Sequence, residues 1–284
     1  MKTWFITGAT GGLASQLTKH LLERGDRVVA TTRKQGNLDK LKKQYDSQLW
    51  EYHLDLTNPQ QIEDIVTKAF DELGTIDIIV NNAAYGLYGA VEEINDEQTE
   101  RLFQTNLFGS IRVARAALPF LRKQNQGQIV QISSMAGHYS SPAMGLYSAS
   151  KWAVEAVFEA LSQEIAPFGI RTTIIEPGGI RTEFAGDKAV FGKEIDDYKD
   201  TPARNVTNFM KNPGLTNEQL KKMIIGDPDK MSLQIIDSVD QVKSPLRIAL
   251  GSDAYTKIHN GLTERLQKLE AQKELSKSTD ADDE

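Results

Sequence analysis

The amino-acid sequence predicts a doubly wound α/β fold, in which helices cover both faces of a single parallel sheet. Two observations support this: short apolar runs alternate with amphipathic stretches along most of the chain, and a glycine-rich turn follows the first apolar run. Strands that alternate with helices are joined by right-handed crossovers and therefore lie parallel. Parallel strands with both faces covered are apolar throughout, as these runs are. The 284 residues are enough for one such sheet with its helices.

The expected elements follow in chain order. The first strand, TWFIT at 3–7, and the second, RVVATT at 27–32, flank a helix from Ala14 to Arg24 with apolar residues at helical spacing. The alternation continues with the strands LWEYHLDL (49–56), IDIIVNNA (76–83), QIVQISS (128–134), RTTIIEP (171–177) and PLRIALG (245–251). Between and after them we expect helices through Ile62 to Phe70, from about Asp96 to Lys123, Ser148 to Ile165, Asn217 to Ile225, Met231 to Val239, and beyond Asp253 to about Lys273.

Composition divides the chain into a domain and a tail. Residues 1–270 carry the alternating pattern and are expected to form a single domain. Within it, the segment from Phe184 to about Leu215 is rich in Lys, Asp, Asn and Gly, and long loops in compact domains are usually functional or disordered. We expect a substrate lid over the carboxyl edge of the sheet, at about 184–225. Residues 271–284 end in STDADDE and are expected to be an acidic, disordered tail.

The composition excludes several functions. With 25% charged residues and a net charge of −6, the chain offers no basic surface for nucleic acid. It contains no cysteine, which excludes disulfides and thiolate metal sites and fits a reducing compartment. The histidines lack ligand spacing, and no apolar stretch approaches the ~20 residues that span a membrane. We therefore expect a soluble, cytoplasmic protein with no metal and no nucleic-acid or membrane partner.

The turn from Thr7 to Ala14 has the features of a dinucleotide-binding turn. Because it links the first strand to the first helix, its glycines let the backbone approach a pyrophosphate held at the helix N-terminus. The adjacent Gly11 and Gly12 make the segment fit both G-x-x-x-G-x-A and G-x-x-G-x-x-A. The alternative is a turn that only connects strand and helix. The cofactor contacts predicted here are Gly8, Thr10, Gly11, Gly12 and Leu13.

The residues after the second strand bear on the choice of cofactor. NAD is usually recognised there by a carboxylate on its ribose 2′-hydroxyl, and NADP by an arginine near its 2′-phosphate. This chain has Arg33 and Lys34, with no acid directly after the strand. Two cations favour NADP(H), with NAD(H) as the second choice, although such a pair also suits a solvated basic loop.

A group of polar residues forms the strongest functional pattern. Tyr147 and Lys151 are four residues apart, so they share one face of the predicted helix, and Ser134 lies thirteen residues before Tyr147 at a strand end. A free tyrosine has a pKa of about 10, and needs a neighbouring cation to act as a base near neutrality. Lys151 can supply that cation, while Ser134 would stabilise charge on a substrate oxygen. Its neighbour Ser133 should face the opposite side of the strand.

Together with the glycine turn, this pattern predicts hydride transfer between a nicotinamide cofactor and a carbonyl or alcohol, with Tyr147 as general acid/base. Asn106, earlier in the chain in QTNLFGS, is the fourth member of the pattern. Each of the four residues alone has a structural explanation: Tyr147 as a helix-start aromatic, Lys151 as a solvated lysine, Ser134 as a cap and Asn106 as a polar helix residue. Their order in the chain favours the functional interpretation.

The chain resembles the short-chain dehydrogenase/reductase family, in its core subclass, over about residues 3–182. The motifs that carry the resemblance occur here in the family's order: the Thr-Gly-x-x-x-Gly turn at 7–12, Asp55, Asn81-Asn82-Ala83, Asn106, Ser134, Tyr147, Lys151, Pro177-Gly178 and Thr182. Two positions depart from the pattern, because Ala14 and Ala84 stand where the family usually has glycine.

The resemblance implies a Rossmann-like fold and further roles. It places Asp55 and Leu56 near the adenine and Asn82 and Ala83 along the adenosine ribose and the sheet. Asn106 would interrupt its own helix and hold a water beside Lys151, which would reach the nicotinamide ribose. The other cofactor contacts that we expect are Ala84, Tyr147, Pro177, Gly178, Ile180 and Thr182. Because family members are commonly dimers or tetramers, a homo-oligomer is expected.

The substrate is the least defined part of the prediction. Tyr85, His138, Met144 and Phe184 fall on loops at the carboxyl edge of the sheet and predict an apolar substrate pocket, although each would equally suit a core. A ketone, aldehyde or secondary alcohol of moderate size would suit such a pocket.

Two alternative functions resemble parts of this pattern. A catalytically silent NADP(H)-binding sensor typically lacks the Tyr-Lys pair, and a sugar-nucleotide epimerase or dehydratase needs a longer substrate domain than follows Thr182.

Overall fold

A computed structural model describes residues 1–34, 36–182, 184, 189–211, 214 and 216–281. Within them the central sheet comprises β1 (Thr3–Thr7), β2 (Arg27–Thr32), β3 (Leu49–His53), β4 (Ile78–Asn81), β6 (Gly127–Ile132), β7 (Ile170–Pro177) and β9 (Arg247–Leu250). A small second sheet pairs β5 (Leu87–Tyr88) with β8 (Val190–Phe191). The helices are α1 (Gly12–Glu23), α2 (Asp39–Gln44), α3 (Pro59–Leu73), α4 (Asp96–Phe103), α5 (Ser110–Gln124), α6 (Gly145–Ile165), α7 (Pro202–Lys211), α8 (Asn217–Met223), α9 (Pro228–Asp240), α10 (Ser252–Glu270) and α11 (Lys273–Lys277).

The strand order of the central sheet is β3-β2-β1-β4-β6-β7-β9, and every neighbouring pair is parallel. Phe5 of β1 is paired with Val29 on one side and with Ile79 on the other. The chain therefore moves towards one edge after β1 and towards the other edge from β4 onwards. Such a reversal opens a crevice at the carboxyl ends of the strands, where open α/β sheets bind ligands. The predicted doubly wound fold is confirmed.

Two apolar cores cover the two faces of the sheet. Phe5 lies in the core formed with α3, α5 and α6, whereas its neighbours Trp4 and Ile6 lie in the core formed with α1 and α9. Successive strand residues point to opposite faces, so an apolar run is needed to fill both cores. Burying each such side chain contributes about 1.5–3 kcal/mol, which explains why β1 carries no charged residue.

Two predicted elements differ from the structure. The strand expected at 49–56 ends at His53, because Asp55 Oδ1 accepts hydrogen bonds from the backbone N–H and the hydroxyl of Thr57 and begins a turn. The single helix expected from Asp96 to Lys123 is divided by a π-helical segment, Gln104–Gly109. That segment contains Asn106, as the family resemblance implied.

The segment expected to be a lid lies only partly within the described residues. Residues 185–188, 212, 213 and 215 lie outside them, while the described part contains β8, α7 and α8. The tail expected at 271–284 contains the short helix α11, and residues 282–284 lie outside the described part.

None of the described helices combines the length and apolar composition needed to cross a lipid bilayer.

Candidate active site

The glycine turn between β1 and α1 exposes backbone donors at a helix N-terminus. Gly8 has φ +66°, a conformation that favours glycine, and an added Cβ would lie 2.9 Å from Cβ of Ala83. The N-cap, Gly11, is extended and provides no side-chain cap, so the first N–H groups of α1 are left for a ligand. An added Cβ at Gly11 would meet only Gly8 O at 3.3 Å and Asn82 Nδ2 at 3.9 Å. These features fit a pyrophosphate.

Asn82 and Thr7 hold this turn against the end of β4. Thr7 Oγ1 accepts from the backbone N–H of Asn82 at 3.0 Å and of Ala83 at 3.1 Å. The Asn82 side chain donates through Nδ2 to Thr7 O at 3.1 Å and to Gly8 O at 3.2 Å. The amide of Asn82 therefore fixes the glycine turn itself, and its implied place along the adenosine ribose stays a prediction.

The segment after β7 closes onto the same turn. An added Cβ at Gly12 would lie 2.2 Å from Cγ2 of Thr182, so this glycine lets the Thr182 side chain approach α1. The backbone after Pro177 is held by Asp253 of α10, whose Oδ2 accepts from Gly179 N at 2.7 Å. Ile180 forms an isolated parallel bridge with Gly226. Asp253 was not expected at this site, because only the folded chain brings α10 to the end of β7.

At the other end of the crevice, Arg33 and Lys34 are exposed directly after β2. Burial alone would raise the pKa of Asp55, but hydrogen bonds from Thr57 and the nearby Arg33 hold that pKa below its usual value. The carboxylate is therefore ionised and close to the cation at Arg33. The Leu56 side chain is buried in the core, where Cβ of Leu56 would lie 2.8 Å from a Cβ added at Gly109. The implied place of Asp55 and Leu56 near the adenine stays a prediction.

The two departures from the family pattern cause no backbone strain. Ala14 is buried in the core around α1, where its methyl group packs. Among the described residues, the non-glycine residues with positive φ are Asn125 and Ala143, so the backbone at Ala84 does not need glycine.

Ser134 and Tyr147 are brought together at the end of β6. Ser134 is the N-cap of a short 3₁₀ turn after β6, and its Oγ accepts from Ala136 N at 3.1 Å. Tyr147, in the first turn of α6, is buried. Burial raises the pKa of Tyr147 to about 12, and a hydrogen bond with Ser134 acts in the opposite direction. Ser133 instead lies beside Glu155, so the two neighbouring serines have different surroundings.

Lys151 is buried one turn after Tyr147 on the same face of α6. Its Nζ lies 5.9 Å from the centre of the Tyr147 ring and donates to Ile132 O at 3.1 Å. Burial lowers the pKa of Lys151 to about 8, while the charge of Glu155 acts to raise it. A buried lysine that stays protonated at neutral pH therefore faces a buried phenol, which suits proton transfer.

Asn106 connects the π-helical segment to two other parts of the site. Its Oδ1 accepts from Tyr85 N at 3.1 Å, and its Nδ2 donates to Tyr85 O at 3.0 Å. Nδ2 is also 3.3 Å from Ser150 Oγ on α6. The side chain thus holds the loop after β4 against α6, and the water implied beside Lys151 stays a prediction.

The four predicted substrate residues have different surroundings. The ring of Phe184 meets that of Tyr147 edge-on, with 5.9 Å between their centres. Met144 is the N-cap of α6 and is therefore the last residue of the loop that joins the turn after Ser134 to this helix. Tyr85 is half-buried and is fixed through its backbone by Asn106. The imidazole of His138 donates from Nε2 to Glu176 Oε1 at 2.9 Å, so this side chain is engaged with β7.

A further tyrosine near the site was not identified from the sequence. Tyr88 of β5 is buried, and its ring packs on Phe191 of β8, with 5.7 Å between the ring centres. Burial raises the pKa of Tyr88, and so does the nearby Tyr147. The only signal in the sequence is the small residue Gly86 two positions before it, which does not by itself indicate a site.

Comparison with known proteins agrees with this geometry. A family model described as short chain dehydrogenase matches residues 2–190. Oxidoreductase BOA17 of Botryotinia fuckeliana is 34% identical over 254 residues, 89% of this chain and 90% of that protein. The 3-ketodihydrosphingosine reductase of Bacteroides thetaiotaomicron is 34% identical over 204 residues, 71% of this chain and 73% of that protein.

Solved structures show the same likeness. A short-chain dehydrogenase from Streptomyces avermitilis matches with a TM-score of 0.88 at 32% identity, over 99% of this chain and 100% of that one. ElxO with NADP bound matches with a TM-score of 0.74 at 22% identity, over 90% of this chain and 99% of that one, which is a likeness of fold.

Proposed function

The chain belongs to the short-chain dehydrogenase/reductase family and is an NAD(P)-dependent oxidoreductase, and on that premise we propose that it interconverts a ketone or aldehyde and an alcohol, with Tyr147 as general acid/base. The observation that carries the proposal is the convergence of Ser134, Tyr147 and Lys151 at the end of β6, at the same edge of the sheet as the glycine turn.

When bound, the cofactor supplies the hydride for reduction of the carbonyl carbon. In that direction the carbonyl oxygen accepts hydrogen bonds from the hydroxyls of Ser134 and Tyr147 as negative charge develops on it. Tyr147 then gives its proton to this oxygen, and the C=O double bond becomes an alcohol. The high pKa of Tyr147, about 12, keeps the phenol protonated for this step. Lys151 stabilises the phenolate that remains, and in the oxidation the same phenolate takes the proton back.

We propose NADP(H) as the preferred cofactor because of Arg33 and Lys34. Both side chains are exposed after β2, where a 2′-phosphate would lie, and guanidinium groups make strong, bidentate contacts to phosphate. The backbone donors at Gly11 and Gly12 would hold the pyrophosphate. Comparing kcat/KM for NADPH and NADH with the purified protein tests this, and a higher value for NADH would reject the preference.

The substrate that we propose is a ketone, or the corresponding secondary alcohol, of moderate size and apolar character. Phe184 lies beside Tyr147, and the partly buried Phe191 packs on the buried Tyr88, which lies near Tyr147. The relative named as a 3-ketodihydrosphingosine reductase acts, by its name, on a ketone. That likeness supports a carbonyl group as the reacting group without specifying the rest of the molecule.

Substrate turnover and cofactor binding must be measured separately to test this function. We expect a panel of apolar ketones and aldehydes to oxidise NADPH, and Tyr147→Phe to abolish most turnover while NADPH still binds with nearly native affinity. Tyr147→Phe keeps the buried ring and removes only the hydroxyl. NADPH binding without turnover on any substrate would favour the sensor, and an unchanged rate in Tyr147→Phe would remove this residue from the mechanism.

The cytoplasmic location and the homo-oligomeric assembly also stay predictions. The first rests on the absence of cysteine and the second on the family resemblance. Light scattering on the purified chain measures the assembly directly.

A further inference from the structure

A buried group of charged side chains surrounds Glu155, one helical turn after Lys151 on α6. Arg247 of β9 donates from Nε to Glu155 Oε2 at 2.9 Å, and the same Nε lies 3.4 Å from Glu176 Oε1 on β7. That oxygen of Glu176 also accepts from His138 Nε2 at 2.9 Å. We call Glu155, Glu176, His138 and Arg247 the Glu155 network. It joins α6 to two strands and to the loop that carries Ser134.

The Glu155 network contains more carboxylates than its own cation can balance. The side chains of Glu155 and Glu176 are only 7% and 4% exposed, and both face Arg247. The second end of the Arg247 guanidinium donates to Glu159, at 2.9 Å, which is half-exposed. Burial raises the pKa of Glu155, and the charge of Glu176 adds to this, while Ser133 and Arg247 favour the ionised form. A further cation nearby would therefore be stabilised by Glu155.

Lys151 is that cation. Residues four apart lie on one helical face, so Glu155 follows Lys151 directly along α6. Both side chains reach the end of β6, where Lys151 Nζ donates to Ile132 O at 3.1 Å and the hydroxyl of Ser133 lies beside Glu155. Gly137 closes this space, because an added Cβ would lie 3.2 Å from Ser133 Oγ and 3.3 Å from Glu155 Oε1. Lys151 and Glu155 are both buried, and burial strengthens the electrostatic interaction between their charges.

We propose that Glu155 is a positioning residue that keeps Lys151 protonated, with Arg247 holding its carboxylate in place. The inference rests on the proposed function only in that Lys151 supports Tyr147. Burial by itself would let Lys151 lose its proton more readily, and the phenolate of Tyr147 would then lack its cation. The charged and titratable groups that bear on Glu155 are Lys151 and Glu159 on α6, Glu176 on β7, Arg247 on β9, and His138 after β6.

α10 covers the outer side of the Glu155 network. Its Gly261 packs on the carbonyl of His138, since an added Cβ would lie 3.2 Å from that oxygen. Its Lys257 lies over the ring of Tyr139, 5.7 Å from the ring centre, and none of the ion pairs among the described residues joins α10 to the network. The charged side chains that act on Glu155 therefore lie on the strands of the sheet and on α6, and not on α10.

The test compares three carboxylate variants by the pH dependence of kcat/KM for ketone reduction. Glu155→Gln keeps the shape and removes the charge, Glu155→Asp keeps the charge, and Glu159→Gln removes the other carboxylate bound to Arg247. The alkaline limb of this profile is the fall in kcat/KM at high pH, where Lys151 loses its proton. Because an opposite charge nearby raises the pKa of a lysine by about one unit or more, we expect the alkaline limb to lie about one pH unit lower in Glu155→Gln. Glu159→Gln should leave the alkaline limb at its position in the unsubstituted chain. In Glu155→Asp the limb should lie between that position and its position in Glu155→Gln.

A titration that needs no turnover keeps this inference separate from the proposed function. In the unsubstituted chain with carbon-13-labelled lysine, the NMR signal of Lys151 should titrate near pH 8 and show a smaller inflection where Glu155 takes up a proton. A Lys151 signal without that inflection overturns the inference, even if Glu155→Gln unfolds too easily for its pH profile to be measured. If no substrate is turned over, the proposed function fails, while the NMR titration still decides the role of Glu155.

Discussion

Gly86 makes room for the ring of Tyr88. A Cβ at position 86 would lie 2.7 Å from Cε2 and 2.8 Å from the hydroxyl oxygen of Tyr88, and the ring is buried and cannot easily move aside. Pairing of β5 with β8 fixes both residues, since Val190 N donates to Gly86 O at 3.0 Å and Gly192 N donates to Tyr88 O at 2.9 Å. β5 also packs against α6, which carries Tyr147. The fold therefore holds a second phenol within electrostatic reach of the first.

Tyr88→Phe tests whether this second phenol contacts the substrate. Tyr88→Phe keeps the buried ring and removes only the hydroxyl, so we expect the free energy of unfolding to change by less than about 0.5 kcal/mol. For ketones that carry a second polar group we expect kcat/KM to fall by about tenfold, the cost of one hydrogen bond, and plain ketones should be unaffected.

The matched variant is Gly86→Ala, which should displace the ring and destabilise the fold by about 1–3 kcal/mol. Thermal unfolding and kinetics with paired substrates measure both effects. An equal loss for polar and plain ketones in Tyr88→Phe would mean that the hydroxyl shapes the site without contacting the substrate.

The ion pair between Glu93 and Arg204 predicts a pH-dependent loss of stability. Arg204 of α7 donates to Glu93 Oε1 at 2.5 Å, and Glu93 also accepts from the backbone N–H of Ile195 at 3.0 Å and of Ala90 at 2.9 Å. Burial would raise the pKa of Glu93, but these contacts hold it below its usual value. A carboxyl whose folded pKa is lowered contributes stability above its unfolded pKa, about 4.3, and loses it as the pH falls through the folded pKa.

We therefore expect Glu93→Gln to lower the free energy of unfolding at pH 7 by up to about 3–5 kcal/mol, because the buried Arg204 then keeps only the exposed Glu194 as an ion-pair partner. Below pH of about 4.3 the melting temperature of Glu93→Gln should fall less steeply than that of the unsubstituted chain. The control is Glu92→Gln, at the neighbouring exposed residue. If the curves of melting temperature against pH were parallel for Glu93→Gln and the unsubstituted chain, the loss of stability at low pH would not come from Glu93.

Arg33→Ser separates recognition of the 2′-phosphate from general electrostatic attraction. Loss of a hydrogen bond to a charged group costs about 1.5–3 kcal/mol, so we expect KM for NADPH to rise by about tenfold or more and KM for NADH to change little. Lys43→Ser removes an exposed cation from α2 and should affect neither value. A similar rise for both cofactors in Arg33→Ser would show that Arg33 acts without distinguishing the phosphate.

The sequence predicted the parts of this protein that depend on local spacing. The strands, the glycine turn and the shared face of Tyr147 and Lys151 follow from periodicity within a few residues, and the structure has all of them. Contacts between distant segments carry no such signal. Glu93 and Arg204 are 111 residues apart, and His138, expected in the substrate pocket, is bound to Glu176, 38 residues away. Such pairs are decided by which loops and strands the fold brings together.

The neighbouring serines after β6 have different surroundings, so their substitution should have different effects. Ser134 is directed to Tyr147 and Ser133 to Glu155, although the two residues are adjacent. Removing a donor to a developing oxyanion typically costs about 10²–10³ in kcat, so Ser134→Ala should lose that much activity. Ser133→Ala should keep most of kcat and instead move the alkaline limb of the pH profile, because Ser133 favours the ionised form of Glu155. Stopped-flow reduction rates at several pH values measure both effects. If Ser133→Ala lost as much of kcat as Ser134→Ala, the hydroxyl that faces the substrate would have been assigned to the wrong side of the strand.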